Sequence, residues 1–295
     1  MAKPTIGEDT LQMIFSLGSA GWRSIYGVLP TEMLSLREIE SLTLKALTLG
    51  FKWIDTAPGY GDTEKYLGAI SPPQSVATKI IVDESDLSLI SKSIENSLDN
   101  LKLDSLELVF IHNWDKLRTE NREVASHFLD NLVRTGIIKH WGFSTYDIGE
   151  IIRFSQLDFR NIHIQINSNV LDQRLLENGL DVITKRFASQ GHKLWLRSIF
   201  LQGILLDIDG RNPFIKHNSI VNFHAYCLKK GYSPMEVCLG YVQSLPIVDY
   251  VILGINNSQQ LEEIASALSS TPSGFDYSEL KSNDLDLIDP RNWRK

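Results

Sequence analysis

Four ionisable side chains of different chemical types lie at or just beyond the ends of three successive apolar, strand-like segments. Asp55 and Tyr60 lie in the stretch Lys-Trp-Ile-Asp-Thr-Ala-Pro-Gly-Tyr-Gly, Lys79 ends Val-Ala-Thr-Lys, and His112 ends Val-Phe-Ile-His. In a barrel of parallel strands such ends converge on one mouth. We therefore expect a carboxylate, a phenol, an amine and an imidazole to meet there. Such a set could transfer protons at a carbonyl group.

The elements that must position these side chains alternate along the whole chain. Strands are predicted near residues 15–20, 52–57, 75–80, 106–112, 140–145, 162–168, 193–200 and 249–254. Helices are predicted near residues 36–49, 62–70, 86–101, 121–135, 147–155, 179–190, 219–230, 234–244 and 258–268. This alternation predicts an α/β fold, a single (β/α)8 TIM barrel, rather than an open sheet. No linker or low-complexity segment divides residues 1–295, so we expect one domain.

Helix boundaries support this interpretation. Three candidate helix starts place a capping side chain three residues before a glutamate, which predicts capping boxes: Ser35 with Glu38, Asp147 with Glu150, and Ser233 with Glu236. Four glycines fall where helices should end, which predicts left-handed C-terminal caps: Gly50, Gly136, Gly191 and Gly231.

Composition narrows the classes of function. Of the 295 residues, 43% are hydrophobic and 22% charged, and the net charge of −7 gives no general reason to expect nucleic acid or anionic membrane as a partner. The first ten residues lack the apolar core of a signal peptide, and no apolar run approaches the roughly 20 residues that span a bilayer. The two cysteines, Cys227 and Cys238, lie in apolar helical patterns and are too few for a metal site. We expect a cytosolic protein with reduced thiols.

The stretch Asp55-Thr-Ala-x-x-Tyr60-Gly-x-x-Glu64-x-x-Leu67-Gly68 resembles the signature of the aldo-keto reductase superfamily. Further blocks resemble the same family in the same order, and they extend over nearly the whole chain: Thr78-Lys79, Leu103 to His112, Gly142 to Ser144, Gln165, Ser198 to Gly203, and Gly254 to Glu263. The similarity is greatest to bacterial-type members. It implies NAD(P)H-dependent reduction of an aldehyde or ketone to an alcohol, with a sugar-type or small metabolic carbonyl compound as a plausible substrate.

The resemblance also implies a role for each of the four ionisable residues. Tyr60 would be the general acid, and the Lys79 ammonium would lower its pKa from about 10. Asp55 would hold Lys79 charged, and His112 would hydrogen-bond the carbonyl oxygen. The structural alternative is a strand-end cap with an exposed Asp55–Lys79 salt bridge, which would contribute little stability.

On the cofactor side, the resemblance places Ser144 and Gln165 at the nicotinamide carboxamide. Thr145 stands where the family often has asparagine. Arg197 stands where an aromatic residue usually stacks on the nicotinamide, and a guanidinium plane can also stack on a ring. The rest of that segment carries further candidate cofactor contacts: Ser198, Phe200, Gln202 and Gly203.

The segment that opens the last predicted helix would hold the adenosine end of the cofactor. Asn257 or Ser258 would cap the helix, whose N-terminus favours phosphate, and Gln260 and Glu263 would lie near the adenine. Gly254 begins this block, and Asn256 occupies the position of an arginine that binds the 2′-phosphate in related reductases. We therefore expect NADPH as cofactor by resemblance, with NADH possible because asparagine supplies no charge.

Three aromatic residues, Trp22, Tyr26 and Trp114, are predicted to wall the substrate pocket together with Phe200, with simple core packing as the alternative. Residues 206–218 are a candidate flap or an ordinary loop.

Two alternative functions stay open. One is a barrel aldolase that uses Lys79 as a Schiff-base amine. The other is a cofactor-binding sensor without turnover, because potassium-channel β subunits resemble the same family.

Overall fold

The computed structural model describes residues 13–28, 32–177 and 180–293. Within them, parallel strands pair in chain order and the last strand pairs with the first, so the sheet closes into a barrel. The strands are β1 (Ile14–Gly18), β2 (Trp53–Asp55), β3 (Ser75–Ile80), β4 (Leu106–Ile111), β5 (Ile138–Thr145), β6 (His163–Asn167), β7 (Lys193–Arg197) and β8 (Tyr250–Gly254). The predicted (β/α)8 TIM barrel is confirmed.

Helices surround this barrel between the strands. They are α1 (Leu36–Thr48), α2 (Thr63–Ile70), α3 (Leu89–Leu101), α4 (Thr119–Arg134), α5 (Ile148–Phe154), α6 (Arg174–Glu177), α7 (Leu180–Gln190), α8 (Asn218–Lys230), α9 (Pro234–Gln243), α10 (Ser258–Leu268) and α11 (Leu285–Ile288). Sequence periodicity did not predict α6 or α11, because one helical turn is too short to show a period. Residue 179, where the sixth predicted helix starts, lies outside the described residues. So do the first ten residues, on which the signal-peptide prediction rests.

The predicted helix caps are present with one exception. Ser35 with Glu38 and Ser233 with Glu236 form complete capping boxes. All four predicted glycines have positive φ, between 72° at Gly191 and 88° at Gly50.

The exception is the predicted box of Asp147 and Glu150, which was wrong. Asp147 caps α5 by accepting from the Gly149 N–H at 2.8 Å. The Glu150 carboxylate instead accepts from Arg122 Nη1 at 2.5 Å and from Trp114 Nε1 at 3.3 Å, and it also pairs with Arg153. A buried carboxylate is stabilised far more by two guanidinium groups than by one backbone N–H.

Alternation along the strands divides the barrel interior into layers, because successive side chains point to opposite faces. An apolar floor fills the interior, and its members are Trp53, Ala77, Leu108, Phe110, Trp195, Tyr250 and Ile252. Two residues further along the same inward face come Asp55, Lys79, His112 and Arg197. The floor thus closes the barrel below a polar layer at the carboxyl ends of the strands.

One histidine belongs to the floor. His163 on β6 accepts a hydrogen bond at Nδ1 from Trp195 Nε1 at 2.8 Å, and the Trp195 ring stacks on Tyr250 with centroids 4.1 Å apart. Burial lowers the pKa of His163 to about 3, so the imidazole is neutral and can serve as the acceptor.

The described residues bear on two composition-based predictions. Cys227 and Cys238 are free and buried, and burial raises the pKa of the Cys227 thiol to about 12. In the described ranges no group of three or more His, Cys, Asp or Glu side chains could hold a metal ion. None of the helices in those ranges is both long and apolar enough to cross a membrane.

Candidate active site

Asp55 and Lys79 form a buried ion pair at the mouth of the barrel. The Lys79 Nζ lies 2.6 Å from Asp55 Oδ2 and also donates to the Thr56 carbonyl at 3.0 Å. Lys79 is 2% exposed and Asp55 4%. The alternative of an exposed salt bridge is therefore wrong. Burial lowers the pKa of Lys79, and the charge of Asp55 opposes that shift.

Gln165 on β6 holds the other oxygen of Asp55. Its Nε2 donates to Asp55 Oδ1 at 2.9 Å, and its Oε1 accepts from Ser144 Oγ at 3.3 Å. Both amide atoms are thus engaged inside the barrel, and Gln165 has no exposed surface. Gln165 positions Asp55, while the contact of Ser144 and Gln165 with a nicotinamide carboxamide stays a prediction.

Tyr60 reaches the same mouth from the loop after β2. Its backbone N–H donates to the Ala57 carbonyl at 3.0 Å, and its ring centroid lies 5.0 Å from Lys79 Nζ. The next residue, Gly61, has φ of 67°, and a Cβ on it would lie 2.2 Å from the Arg23 carbonyl oxygen. Glycine is therefore required at this position to hold Tyr60 over Lys79.

The prediction that Lys79 lowers the pKa of Tyr60 was wrong. Burial, and then the negative charge of Asp55, raise the pKa of the Tyr60 phenol well above its ordinary value. The Lys79 ammonium is paired with Asp55, and the negative charge of Asp55 acts on the phenol in the opposite direction. Tyr60 is therefore protonated at neutral pH and can act as an acid.

His112 extends β4 at the mouth, because its backbone N–H donates to the Ile80 carbonyl at 2.8 Å. His112 is exposed at the mouth. Surrounding protein, together with the charges of Lys79 and Arg197, lowers the pKa of His112 to about 4. At neutral pH the ring is uncharged, and a neutral imidazole can donate its one N–H to a carbonyl oxygen.

Thr145 faces away from the barrel interior, as its neighbour Ser144 faces inward. Its hydroxyl bonds the Asp115 carboxylate and accepts from the Asp147 N–H at 2.9 Å. The side chain is fully buried in this network. Thr145 thus anchors the loop between β5 and α5, and no cofactor contact of its hydroxyl is supported.

Arg197 ends β7 and stacks on Tyr146. Its guanidinium carbon lies 4.1 Å from the ring centroid, and Nη2 donates to the Thr145 carbonyl at 3.4 Å. Arg291, from the segment after α11, covers Tyr146 at 4.2 Å. Arg291 is itself paired with Asp289 and Asp115. Two guanidinium groups therefore contact one tyrosine ring beside the mouth.

The segment after β7 has an unusual backbone. Ser198, Leu201 and Gln202 adopt φ of 59°, 48° and 53°, and Gly203 adopts 91°. Such conformations cost non-glycine residues about 1–3 kcal/mol each and persist only where surrounding structure imposes them. Phe200 is buried in the core, so it does not wall an open pocket. The cofactor contacts of this segment stay predictions.

At α10, Asn257 is the cap, because its side chain accepts from the Gln260 N–H at 2.8 Å. The Gln260 side chain accepts in turn from the Asn256 N–H at 2.8 Å. Glu263 is exposed and accepts from Gln259. Nothing lies within 4 Å of where a Cβ on Gly254 would be, so the strand end leads openly to the helix N-terminus.

Besides Phe200, two further predicted pocket-wall residues are not at an open surface, which corrects that prediction. Trp22 is fully buried, and its Nε1 donates to the Ile255 carbonyl at 2.7 Å. Trp114 is buried and stacks on Phe143 with centroids 4.2 Å apart. Both pack in the core because large apolar rings gain most from full burial. Tyr26, 42% exposed, remains a candidate wall residue.

A cleft of about 660 Å³ lies beside the β5–α5 loop, lined in part by Asp115, Tyr146, Arg174 and Arg291. It does not include Tyr60 or Lys79. The chemistry of the mouth, rather than the size of this cleft, therefore identifies the candidate site.

Comparison with known proteins decides the family. The model of the aldo/keto reductase family matches residues 18–283. The chain belongs to the aldo/keto reductase family. Membership in this family supports an oxidoreductase that acts on carbonyl compounds, and the resemblance noted in the sequence is confirmed.

Solved structures agree in fold. An aldo/keto reductase from Klebsiella pneumoniae, in complex with NADP and acetate, is 18% identical with a TM-score of 0.66, and the match covers 94% of this chain and 92% of that one. A glycerol dehydrogenase from Gluconobacter oxydans is 18% identical with a TM-score of 0.67, covering 88% and 87%. An aldo-keto reductase from Bacillus halodurans is 19% identical with a TM-score of 0.67, covering 88% and 86%. No match was found among curated proteins.

Sequence reasoning missed two members of this aldo/keto reductase site. Tyr146 had only its place directly after Ser144 and Thr145 to mark it. Arg291 lies beyond the last predicted helix, and its contact with Tyr146 joins residues far apart in sequence. No local pattern encodes such a pairing.

Proposed function

We propose that the chain reduces the carbonyl group of an aldehyde or ketone to an alcohol, with NADPH or NADH as the reductant and Tyr60 as general acid. The observation that carries this proposal is the buried Asp55–Lys79 pair directly beside the Tyr60 ring. The NADP in the Klebsiella structure and the glycerol dehydrogenase activity named for the Gluconobacter relative support the reaction class.

The residues around the mouth fit a nicotinamide dinucleotide. The helix N-terminus at Ser258 follows the open strand end at Gly254, and such a terminus favours phosphate. Ser144 and Gln165 would lie at the carboxamide, and the segment from Ser198 to Gly203 would contact the nicotinamide side. When bound, the cofactor supplies a hydride to the carbonyl carbon.

The proton comes from this chain. His112, neutral at neutral pH, donates an N–H to the carbonyl oxygen and orients it. As negative charge grows on that oxygen, Tyr60 transfers its phenolic proton to it. An alkoxide is a much stronger base than a phenolate, so the transfer is downhill even with the raised pKa of Tyr60.

Lys79 holds the Tyr60 ring in place, since its ammonium lies 5.0 Å from the ring centroid. Asp55 and Gln165 hold Lys79 in place from below. The raised pKa of Tyr60 keeps the phenol in its proton-donating form at neutral pH, which is the form that reduction requires.

The decisive experiment compares the wild type with Tyr60→Phe. NAD(P)H oxidation is followed across aldehydes, ketones and keto-sugars, and cofactor binding is followed by fluorescence. We expect the variant to lose reduction by about 10²-fold or more while cofactor affinity changes little. Unchanged turnover would overturn the role of Tyr60. Cofactor binding by a wild type that turns over no carbonyl compound would support the sensor alternative.

Cofactor choice is tested separately. Asn256 offers no positive charge, and its backbone N–H is engaged by Gln260. We expect dissociation constants for NADPH and NADH within about tenfold of each other, and Asn256→Arg to tighten NADPH selectively. A large wild-type preference for NADPH would contradict the weakened discrimination.

A further inference from the structure

Arg197 differs from the other partly buried arginines in having no carboxylate partner among the described residues. It contacts the face of Tyr146 at 4.1 Å, shares a hydrogen bond with the Tyr146 side chain, and donates to the Thr145 carbonyl at 3.4 Å. Each of the other three partly buried arginines forms a salt bridge with a carboxylate: Arg23 with Asp62, Arg122 with Glu150, and Arg174 with Asp172.

An unpaired guanidinium in this environment is costly. Arg197 is only partly exposed, and its Nε is shielded from solvent without a hydrogen-bond partner in the described structure. Removing a cation from water without a counter-ion destabilises a fold, whereas a carboxylate can accept two parallel N–H bonds from a guanidinium. The side chain is therefore suited to an anion that arrives from outside the chain.

The place of Arg197 shows where that anion would lie. Arg197 follows Trp195 on the inward face of β7, in the polar layer that also holds Lys79. Its charge lowers the pKa of His112 and opposes the rise in the pKa of Tyr60, as expected for a near neighbour. An anion at Arg197 would thus be adjacent to the group that reacts.

The cofactor phosphates have a different candidate location. They fit the N-terminus of α10, which begins at Ser258 after β8, whereas Arg197 belongs to the inner layer at the end of β7. A carboxylate on the substrate is the anion that would lie beside the reacting carbonyl.

We propose that Arg197 binds a carboxylate of the substrate, so that the preferred substrates are carbonyl compounds that carry an acid group, such as oxo acids and semialdehydes. This inference rests on the proposed carbonyl reduction. Tyr146 supports it mechanically, because the ring is covered by Arg291 as well as by Arg197 and so holds the guanidinium in one orientation.

The first test needs no turnover. Benzoate and benzamide are titrated into the purified protein by calorimetry at low ionic strength, where charge attraction is least screened. We expect benzoate to bind at least about tenfold more tightly than benzamide, and Arg197→Gln to remove the difference. Arg197→Lys should keep part of this difference in affinity, because the positive charge remains while the two parallel N–H donors of the guanidinium are lost.

The second test compares kcat/KM for matched acid and amide pairs. Pyruvate is paired with pyruvamide, and para-carboxybenzaldehyde with para-formylbenzamide. We expect the wild type to favour the acid in at least one pair by about tenfold or more, and Arg197→Gln to bring that ratio close to one. Arg160→Gln is the matched control, because Arg160 is exposed just before β6, at the opposite end of the barrel. It should leave the ratio intact.

The outcomes separate this inference from the proposed function. If neutral carbonyl compounds are reduced as well as acids and benzoate does not bind, the inference fails while the reductase stands. If no carbonyl compound is reduced but benzoate binds through Arg197, the reductase fails while the carboxylate site stands. If Arg197→Gln weakens NADPH binding and leaves the acid preference unchanged, the anion belongs to the cofactor and the inference is overturned.

Discussion

Gln165 donates from Nε2 to Oδ1 of Asp55 at 2.9 Å, while the other oxygen of that carboxylate holds Lys79. A residue that the family resemblance assigns to the cofactor is thereby connected to the proton-transfer residues. Gln165 could therefore act by contacting the cofactor or by positioning Asp55. A substitution at Gln165 affects cofactor binding in the first case and kcat in the second, so the two roles can be distinguished.

Gln165→Met keeps the length of the side chain and removes the hydrogen bond to Asp55. Since a bond to a charged group contributes about 1.5–3 kcal/mol, we expect kcat to fall by about tenfold or more through misplacement of Lys79. NADPH affinity should change less than kcat. Ser144→Ala, which leaves the Gln165–Asp55 bond in place, is the control. Weaker cofactor binding with kcat retained would assign Gln165 to the nicotinamide instead.

Gly61→Ala should damage both stability and activity. The left-handed φ and the 2.2 Å approach to the Arg23 carbonyl leave no room for a Cβ. We expect a loss of about 2 kcal/mol or more in the free energy of unfolding, which corresponds to a fall in Tm of about 3 °C or more. Reduction should fall further, because Tyr60 is the adjacent residue.

Gly59→Ala provides the matched control, because nothing lies within 4 Å of its Cβ position. Its Tm should stay within about 2 °C of the wild type. Equal effects of the two substitutions would show that the loop tolerates a side chain at Gly61.

The neutral His163 in the barrel floor should make the fold sensitive to acid. Burial lowers its pKa to about 3 in the folded state from the ordinary value of 6.5, so the unfolded chain takes up the proton first as pH falls. The stability it contributes is present above about pH 6.5 and is lost progressively below it, by about 2 kcal/mol at pH 5.

His163→Gln keeps an acceptor for Trp195 Nε1 and removes the titrating group. Urea unfolding at pH 7.5 and pH 5 should show a smaller loss of stability for this variant than for the wild type, by about 2 kcal/mol. His127→Gln, at an exposed position on α4, should leave the loss unchanged. An unaltered pH dependence in His163→Gln would mean that His163 is already charged in the folded state.

Tyr60 should ionise only at high pH. Burial and Asp55 raise its pKa, so the difference in tyrosinate absorbance between the wild type and Tyr60→Phe should show no titration step below about pH 10. A step near neutral pH would restore the view that Lys79 activates the phenol.

The sequence predicted the barrel well because each strand is a distinct apolar run between helix signals. It also placed Asp55, Tyr60, Lys79 and His112 at one mouth, because the end of each strand can be located where its apolar run ends. The orientation of Thr145 could have been predicted from the alternation of side chains along a strand. Because Ser144 faces the barrel interior, its neighbour Thr145 had to face outward. Full burial of Trp22 and Trp114 could not be foreseen, because a ring at a strand end suits a core and a pocket wall equally.

The electrostatic prediction for Tyr60 failed for a different reason. The sequence named the charges but not which of them would pair. Once Lys79 is paired with Asp55, its effect on the phenol depends on distances of a few ångströms that residue types do not encode.

The family pattern ends at residue 283, whereas Arg291 lies beyond it and touches the ring that supports Arg197. Under the proposed role of Arg197, the segment that carries Arg291 would help to decide which substrates the mouth accepts, although it contains none of the signature residues. Two proteins with identical signatures could differ in substrate preference through their last dozen residues alone. A substrate assigned to one of them because its signature matches the other would then be wrong.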